Sequence, residues 1–250
     1  MLITGASSGI GQALALALAS AGAKMLLTAR REERLQTLAN QIRQQGAEAD
    51  YSAGDITNPE LRKQLIAKAG EQFAGLDILI NNAGIGGIGT FATADEARLR
   101  QIMEVNLFAP AELIRSALPL LRESDDGLVV NVGSVLGHCA VPKKAEYCAS
   151  KFALHGLTDA LRMELADERV DVLLISPSTT GSEFFSQALG SAGDATYGDQ
   201  GMTPAAVARQ IVAAMQQRRR EIILSAGGKL LVWADRIAPG LMSRILRRYG

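Results

Sequence analysis

Met1-Leu2-Ile3-Thr4 is a short apolar run, Gly5-Ala6-Ser7-Ser8-Gly9-Ile10-Gly11 breaks it, and residues 12–21 are rich in Ala and Leu at helical spacing. A strand that passes into a helix through three glycines restricts what the rest of the chain can become. Glycine lets the backbone turn tightly and lets another group approach, and a helix start offers unbonded N–H groups at its positive dipole end. The same strand-to-helix step then recurs. Strands read at residues 24–28, 47–53, 76–80, 127–133, 170–175 and 221–224. Helices read at 32–45, 58–73, 95–121 (with Pro110 and Pro119 interrupting or ending it), around Tyr147, and at 204–217. Repeated β-α-β-α with apolar strands means a parallel sheet covered on both faces. The expectation is a doubly wound α/β domain of about seven strands in the order 3-2-1-4-5-6-7. The first strand is short, as if clipped or as if the chain began a few residues inside a longer one.

Composition removes several function classes. The 250 residues carry 26 basic and 26 acidic side chains, and the isoelectric point is about 6.8. No broad basic face for nucleic acid is to be expected from that balance. No apolar run reaches the ~18–20 residues of a membrane span, and the apolar start runs into glycine-rich sequence without a secretory pattern. Cys139 and Cys148 have no ligand-like spacing, so they read as reduced thiols in a cytoplasmic protein with no metal centre.

Site-forming segments follow the strands. After the second strand comes Ala29-Arg30-Arg31. Dinucleotide folds meet the adenosine ribose there, with an acid for the 2′-hydroxyl of NAD or an arginine for the 2′-phosphate of NADP. The absent acid points to NADP(H) over NAD(H), with Arg30 the first choice of phosphate clamp and Arg31 the second. Asp55, before Ile56, is placed to cap the next helix, to bond adenine, or both. Asn81-Asn82-Ala83-Gly84 closes the fourth strand, with Asn81 in a structural part, and Gly84 to Gly89 is a loop over the same region. Asn106 falls mid-helix, where Asn is a poor helix former. Ser134 ends the fifth strand, and Tyr147 and Lys151 stand four apart on the next helix, hence on one face. A phenol with a pKa near ~10 is a poor proton donor or acceptor at neutral pH, and a fixed cation nearby favours its phenolate. Tyr-x-x-x-Lys alone is common on ordinary amphipathic helices.

The joint order is far more specific than any part. Thr4-Gly5-Ala6-Ser7-Ser8-Gly9-Ile10-Gly11, Asn81-Asn82-Ala83-Gly84, Asn106, Ser134 and Tyr147-x-x-x-Lys151 together resemble the short-chain dehydrogenase/reductase family over roughly residues 1–224. The resemblance implies a Rossmann-type sheet, a carbonyl or secondary alcohol as substrate, and a catalytic set of Asn106, Ser134, Tyr147 and Lys151. Tyr147 would exchange a proton with the substrate oxygen and Ser134 would hold that oxygen. Lys151 would lower the Tyr147 pKa and bond the ribose, and Asn106 would hold a water leading to Lys151. It further implies dinucleotide contacts from Gly5, Ser7, Ser8, Gly9, Ile10, Gly11, Arg30, Arg31, Asp55, Ile56, Asn82, Ala83, Gly84, Tyr147, Lys151, Pro177, Ser178, Thr180 and Ser182. One departure stands out: Pro177-Ser178 replaces the family's common Pro-Gly, and Ser182 stands for its Thr.

Residues 1–226 read as the dehydrogenase domain and 227–250 as an amphipathic tail of two short helices broken at Pro239-Gly240. The tail pairs Leu230, Leu231, Trp233, Ile237, Leu241, Met242, Ile245 and Leu246 with Lys229, Arg236, Arg244, Arg247 and Arg248. It fits packing on the domain or on a sister subunit, or contact with a membrane surface. Ala140, Val141, Phe184, Phe185, Leu189 and the tail suggest an apolar pocket for a lipid-like, steroid-like or aromatic ketone. Family members pair through the helices carrying Asn106 and Tyr147, which implies a homodimer or homotetramer. The alternatives to an enzyme are a dinucleotide-binding sensor without turnover and a peripheral membrane module.

Overall fold

A computed structural model describes residues 1–184, 186–190 and 201–249; Phe185, one of the expected pocket residues, and positions 191–200 of the loop after the sixth strand lie outside the described residues. Seven parallel strands, β1 (Leu2–Thr4), β2 (Met25–Ala29), β3 (Ala49–Ala53), β4 (Ile78–Asn81), β5 (Leu128–Val132), β6 (Asp171–Ser176) and β7 (Glu221–Ile223), form one sheet. Their order is β3-β2-β1-β4-β5-β6-β7, as the alternation required. Successive residues of β1 show why both faces must be covered. Ile3 packs with helices α1 (Gly9–Ala19), α2 (Glu32–Gln44) and α7 (Pro204–Gln216). Leu2 packs with α3 (Pro59–Phe73), α5 (Ala109–Glu123) and the end of α6 (Ala145–Glu164). Period-two alternation sends neighbours to opposite faces, and both faces are apolar.

A buried amide rung crosses the aliphatic middle of the sheet. Asn81 and Asn131 are paired in register across β4 and β5. The Asn81 amide donates to Asn131 Oδ1 at 2.9 Å, and the Asn131 amide donates to Thr158 Oγ1 on α6 at 2.9 Å. This is the structural part expected of Asn81.

The helix expected over 95–121 is not continuous. It comprises α4 (Glu96–Met103), a π-helical turn at Glu104–Phe108, and α5. The Ala109 N–H reaches back five residues to the Glu104 carbonyl. Pro110 has no N–H to give and its ring would crowd the carbonyl four residues before it, so the wider turn precedes it and places it in the first turn of α5. Pro119 lies inside α5 without ending it. Arg98 on α4 donates from Nε and Nη2 to Glu146 on α6, at 3.0 and 2.5 Å, and from Nη1 to the Ile88 carbonyl at 3.3 Å. This pair ties α4 and the Gly84–Gly89 loop to the helix carrying Tyr147.

The tail folds as α8 (Ala226–Ile237) and α9 (Pro239–Leu246), with Pro239 opening the second helix where its missing N–H costs nothing. Val232 of α8 is buried against Val135, Leu136, Tyr147 and Cys148. Both cysteines are free and buried, and burial pushes the Cys139 thiol up to about 11. Among the described residues, no helix is long and apolar enough to cross a membrane.

Candidate active site

The residues immediately after β1 through β6 share one cleft of ≈ 1150 Å³. This is the carboxyl edge of the sheet, where open α/β folds hold ligands. One end is walled by the glycine turn, Arg30, Arg31, Asp55 and Ile56; the other by Ser134, Tyr147, Lys151, Phe184 and the tail.

At the glycine end the backbone is locked close to β4. Gly5 has φ +65°, and a Cβ on it would lie 2.8 Å from Ala83 Cα. A Cβ on Gly11 would lie 2.4 Å from the Gly5 carbonyl oxygen and 2.5 Å from Asn82 Nδ2. Asn82 holds this approach by donating to the carbonyls of Thr4 and Gly5 at 3.0 and 3.1 Å. Thr4 Oγ1 in turn accepts from the backbone N–H groups of Asn82 and Ala83 at 3.0 and 2.9 Å. The α1 N-terminus has no side-chain cap from Ser8 and no acid in its first turn. Free N–H groups, a positive dipole end and a glycine cradle fit a diphosphate.

The two arginines after β2 behave differently. Arg31 donates to Ser7 Oγ and Ser8 Oγ at distances down to 2.6 Å and pairs with Glu183 at 2.8 Å. Glu183 also pairs with Arg34, and these cations, Arg34 foremost, hold its carboxyl down at about 2. Arg30 is exposed, lines the cleft, and makes no hydrogen bond or ion pair among the described residues. Asp55 lines the cleft but does not cap α3. It accepts from the backbone and hydroxyl of Thr57, both at 2.9 Å, and Asn58 caps the helix by accepting from the Glu60 N–H. The shorter Asp55-to-Thr57 reach closes a local turn and leaves the cap to the residue next to Pro59.

At the other end, Ser134 follows β5 and its Oγ accepts from the Leu136 N–H at 3.1 Å. The same hydroxyl is the polar neighbour that favours ionisation of the Tyr147 phenol. Lys151 Nζ lies 5.8 Å from the Tyr147 ring centre and donates to the Val132 carbonyl at 2.9 Å. Three side chains from β5 and α6 thus converge on the cleft. Both ionisable members are desolvated. Burial pushes the Tyr147 phenol well above its ordinary range, with the Ser134 hydroxyl working the other way. Burial lowers the Lys151 ammonium to about 8. Phe184 meets the Tyr147 ring edge-on, with centres 5.7 Å apart.

Asn106 does not line the cleft. It is fully buried at the centre of the π turn. Its Oδ1 accepts from the Ile85 N–H at 2.9 Å, and its Nδ2 donates to the Ile85 carbonyl and to Ser150 Oγ at 2.9 and 3.0 Å. Gly84 lies between it and Lys151: a Cβ there would be 3.2 Å from Asn106 Oδ1 and 3.8 Å from Lys151 Nζ.

Pro177, Ser178, Thr180 and Ser182 all line the cleft. Ser178, standing where the family has glycine, bonds Ser225 Oγ at 2.9 Å, and Ser225 caps α8 from a left-handed conformation at φ 68°. Ser182 comes over the glycine turn, since a Cβ on Gly9 would lie 3.3 Å from its Cβ. Of the residues expected to make an apolar pocket, Val141, Phe184, Leu231, Met242, Ile245 and Leu246 line the cleft. Ala140 and Leu189 do not: Ala140 is exposed, and Leu189 is drawn to the Gly84–Gly89 loop by backbone bonds to Gly86 and Ile88. The bonding parts of Thr4 and Glu183 were missed from sequence: Thr4 stands in the glycine motif with no role marked, Glu183 stands in none, and the partners of both are remote in the chain. His138, His155 and Glu221 also gather, with none of them lining the cleft. There His138 is held neutral by burial, its pKa lowered to about 4.

A family model described as short chain dehydrogenase matches residues 1–191. The chain belongs to the short chain dehydrogenase family. It is accordingly an oxidoreductase of the dehydrogenase/reductase kind. Among relatives, this short chain dehydrogenase is 31% identical to Ketoacyl reductase HetN of Nostoc sp., over 100% of this chain and 88% of that protein. It is 30% identical to Dehydrogenase/reductase SDR family member 7B of Bos taurus, over 98% of this chain and 79% of that protein. Two solved structures bracket the cofactor question. A short-chain dehydrogenase from Sphingobium yanoikuyae in complex with NADPH superposes at TM-score 0.83 with 29% identity, covering 97% of this chain and 94% of that one. A dehydrogenase/reductase from Burkholderia phymatum in complex with NAD superposes at TM-score 0.88 with 25% identity, covering 96% and 93%.

Proposed function

We propose that the protein transfers a hydride between NADP(H) and the carbonyl or secondary alcohol of an apolar small molecule. One observation carries the reading: Ser134, Tyr147 and Lys151 line the same cleft as a glycine turn built for a diphosphate. A bound nicotinamide would supply or accept the hydride. The chain's own residues manage the substrate oxygen. Ser134 Oγ holds it and stabilises the charge that develops there. Tyr147 gives it a proton in reduction and takes one from the alcohol in oxidation. The Lys151 ammonium favours the phenolate left behind and is placed to bond the ribose. Asn106, with both amide atoms engaged, positions the Ile85 segment and α6 around Lys151, beside any role in holding a water. Val141, Phe184 and the tail side chains support an apolar substrate. A panel of aliphatic, steroidal and aromatic ketones and alcohols, followed by absorbance of the reduced nicotinamide, tests the proposal. NADPH binding with no turnover of any of them would favour a dinucleotide sensor instead.

Two features support NADP(H) over NAD(H): no acid stands at Ala29, and Arg30 is free at the cleft wall while Arg31 is held by serines and Glu183. Arg30→Ala is expected to weaken NADPH at least about tenfold, the scale of one lost charge-assisted contact, and NADH by no more than about twofold. Equal losses for both, measured by quenching titrations, would put the phosphate elsewhere.

Residues 1–226 form the dehydrogenase domain and 227–250 a tail packed on it, which the burial of Val232 supports. A homodimer or homotetramer through the helices of Asn106 and Tyr147 is supported by exposed Phe108, Phe152 and Met163 on that side. A cytoplasmic location is supported by two unpaired, buried thiols.

A further inference from the structure

Apolar side chains of the tail point two ways. Leu231, Met242 and Leu246 line the cleft, and Val232 is buried. Leu230, Trp233 and Ile237 stand three and four residues apart and therefore share the other face of α8. Leu230 is 72% and Ile237 79% exposed, and Leu241 on α9 is exposed as well. Among the described residues, none buries these side chains. Apolar stripes of this kind are rare on a monomer's free surface without a partner.

Charge identifies the partner. The whole chain is neutral, yet residues 226–250 hold five basic side chains, Lys229, Arg236, Arg244, Arg247 and Arg248, against one acid, Asp235. At 100° per residue Lys229 and Arg236 fall on one flank of the stripe and Asp235 on the far side of α8. Arg236 lies 5.8 Å from the Trp233 ring, within the range of a cation–π contact. Apolar residues and Trp on one face with Lys and Arg along its edge match an anionic bilayer surface, where the rings and aliphatic chains enter the headgroup boundary and the cations meet phosphates. A second copy of the tail would bring like charges together.

We propose that α8 and α9 form a peripheral docking surface for anionic lipid bilayers. This stands apart from the dehydrogenase reading and would hold if no turnover were found. Trp233 is the sole tryptophan of the chain, so it reports on its own surroundings. With the full-length protein and vesicles of phosphatidylglycerol and phosphatidylcholine, Trp233 emission shifts to the blue and is quenched by brominated acyl chains. Raising salt from about 0.1 M to about 1 M shortens the screening length from about 10 Å to about 3 Å and weakens binding at least about tenfold, because the attraction of the basic residues to the anionic surface is screened. The double variant Leu230→Glu/Ile237→Glu touches no cleft residue. It is expected to lower vesicle partitioning at least about 100-fold, from the loss of two buried aliphatic side chains, while keeping the wild-type melting curve and NADPH affinity. No blue shift on anionic vesicles overturns the proposal, as does equal binding to phosphatidylcholine alone. So does light scattering in which the double variant breaks a larger assembly into a smaller one, which would give the stripe to a second copy.

Discussion

Tyr147→Phe is expected to lower kcat for carbonyl reduction by about 10²- to 10⁴-fold, the usual range for a lost general acid. That corresponds to about 3–5 kcal/mol of barrier. The substitution isolates the hydroxyl. Tyr147 is 95% buried, and its ring packs on Phe184 and Val232, contacts that Phe retains. Stability should therefore change by less than about 1.5 kcal/mol, and NADPH affinity by no more than about twofold, so loss of turnover cannot be laid to unfolding. Undiminished turnover in the variant would remove Tyr147 from the chemistry. The wild-type pH profile gives a companion reading. Lys151 titrates at about 8 because of burial. Below that pH the ammonium is present and supports the phenolate; above it the cation, and with it the rate of reduction, falls away.

Arg98→Ala is expected to cost about 3–5 kcal/mol of stability, the scale for breaking a buried ion pair from one side. Glu146 is fully buried, and its Oε2 has no hydrogen-bond partner among the described residues. Removing Arg98 strands the whole carboxylate one residue from Tyr147. It also frees the Ile88 carbonyl and empties the space beside Gly89 and Gly190, which the guanidinium fills at 3.0 and 2.3 Å from where their Cβ atoms would stand. The measurement is the urea midpoint at constant m. The pair Arg98→Met/Glu146→Leu should recover most of the loss, because a matched apolar replacement leaves no unpaired charge. If the single variant melted like the wild type, Glu146 would be solvated or protonated and the cross-link between α4 and α6 would carry no energy.

Features set by local chemistry were legible in the sequence. The βα alternation yields the strand order, and four-residue spacing puts Tyr147 and Lys151 on one face, with Ser134 arriving at the end of β5. Features that depend on who meets whom were not. Nothing in Glu104–Phe108 announces a π turn until Pro110 is seen from the carbonyl it would crowd. Sequence ranked Arg30 ahead of Arg31 as the clamp but could not show that Ser7, Ser8 and Glu183, brought from two other segments, occupy Arg31 and, among the described residues, leave Arg30 open. Asp55 lost the cap because Thr57 was nearer. Ser178 read only as a departure from the family's glycine, and in the fold it fastens α8 through Ser225. Apolar content named the tail's hydrophobic residues but could not divide those that face the cleft from those that face outward.

The Asn81–Asn131–Thr158 chain bears on how this chain avoids folding wrongly. Aliphatic parallel strands attract one another in several alignments of nearly equal energy, since Val against Ile is as good as Ile against Val. A slide of β4 along β5 by a single residue would turn the β4 side chains to the opposite layer and sever the Asn81–Asn131 amide contact in a dry interior. Two asparagines thereby act as a key that admits one alignment, and the sheet's fidelity rests on two buried amides among its aliphatic side chains.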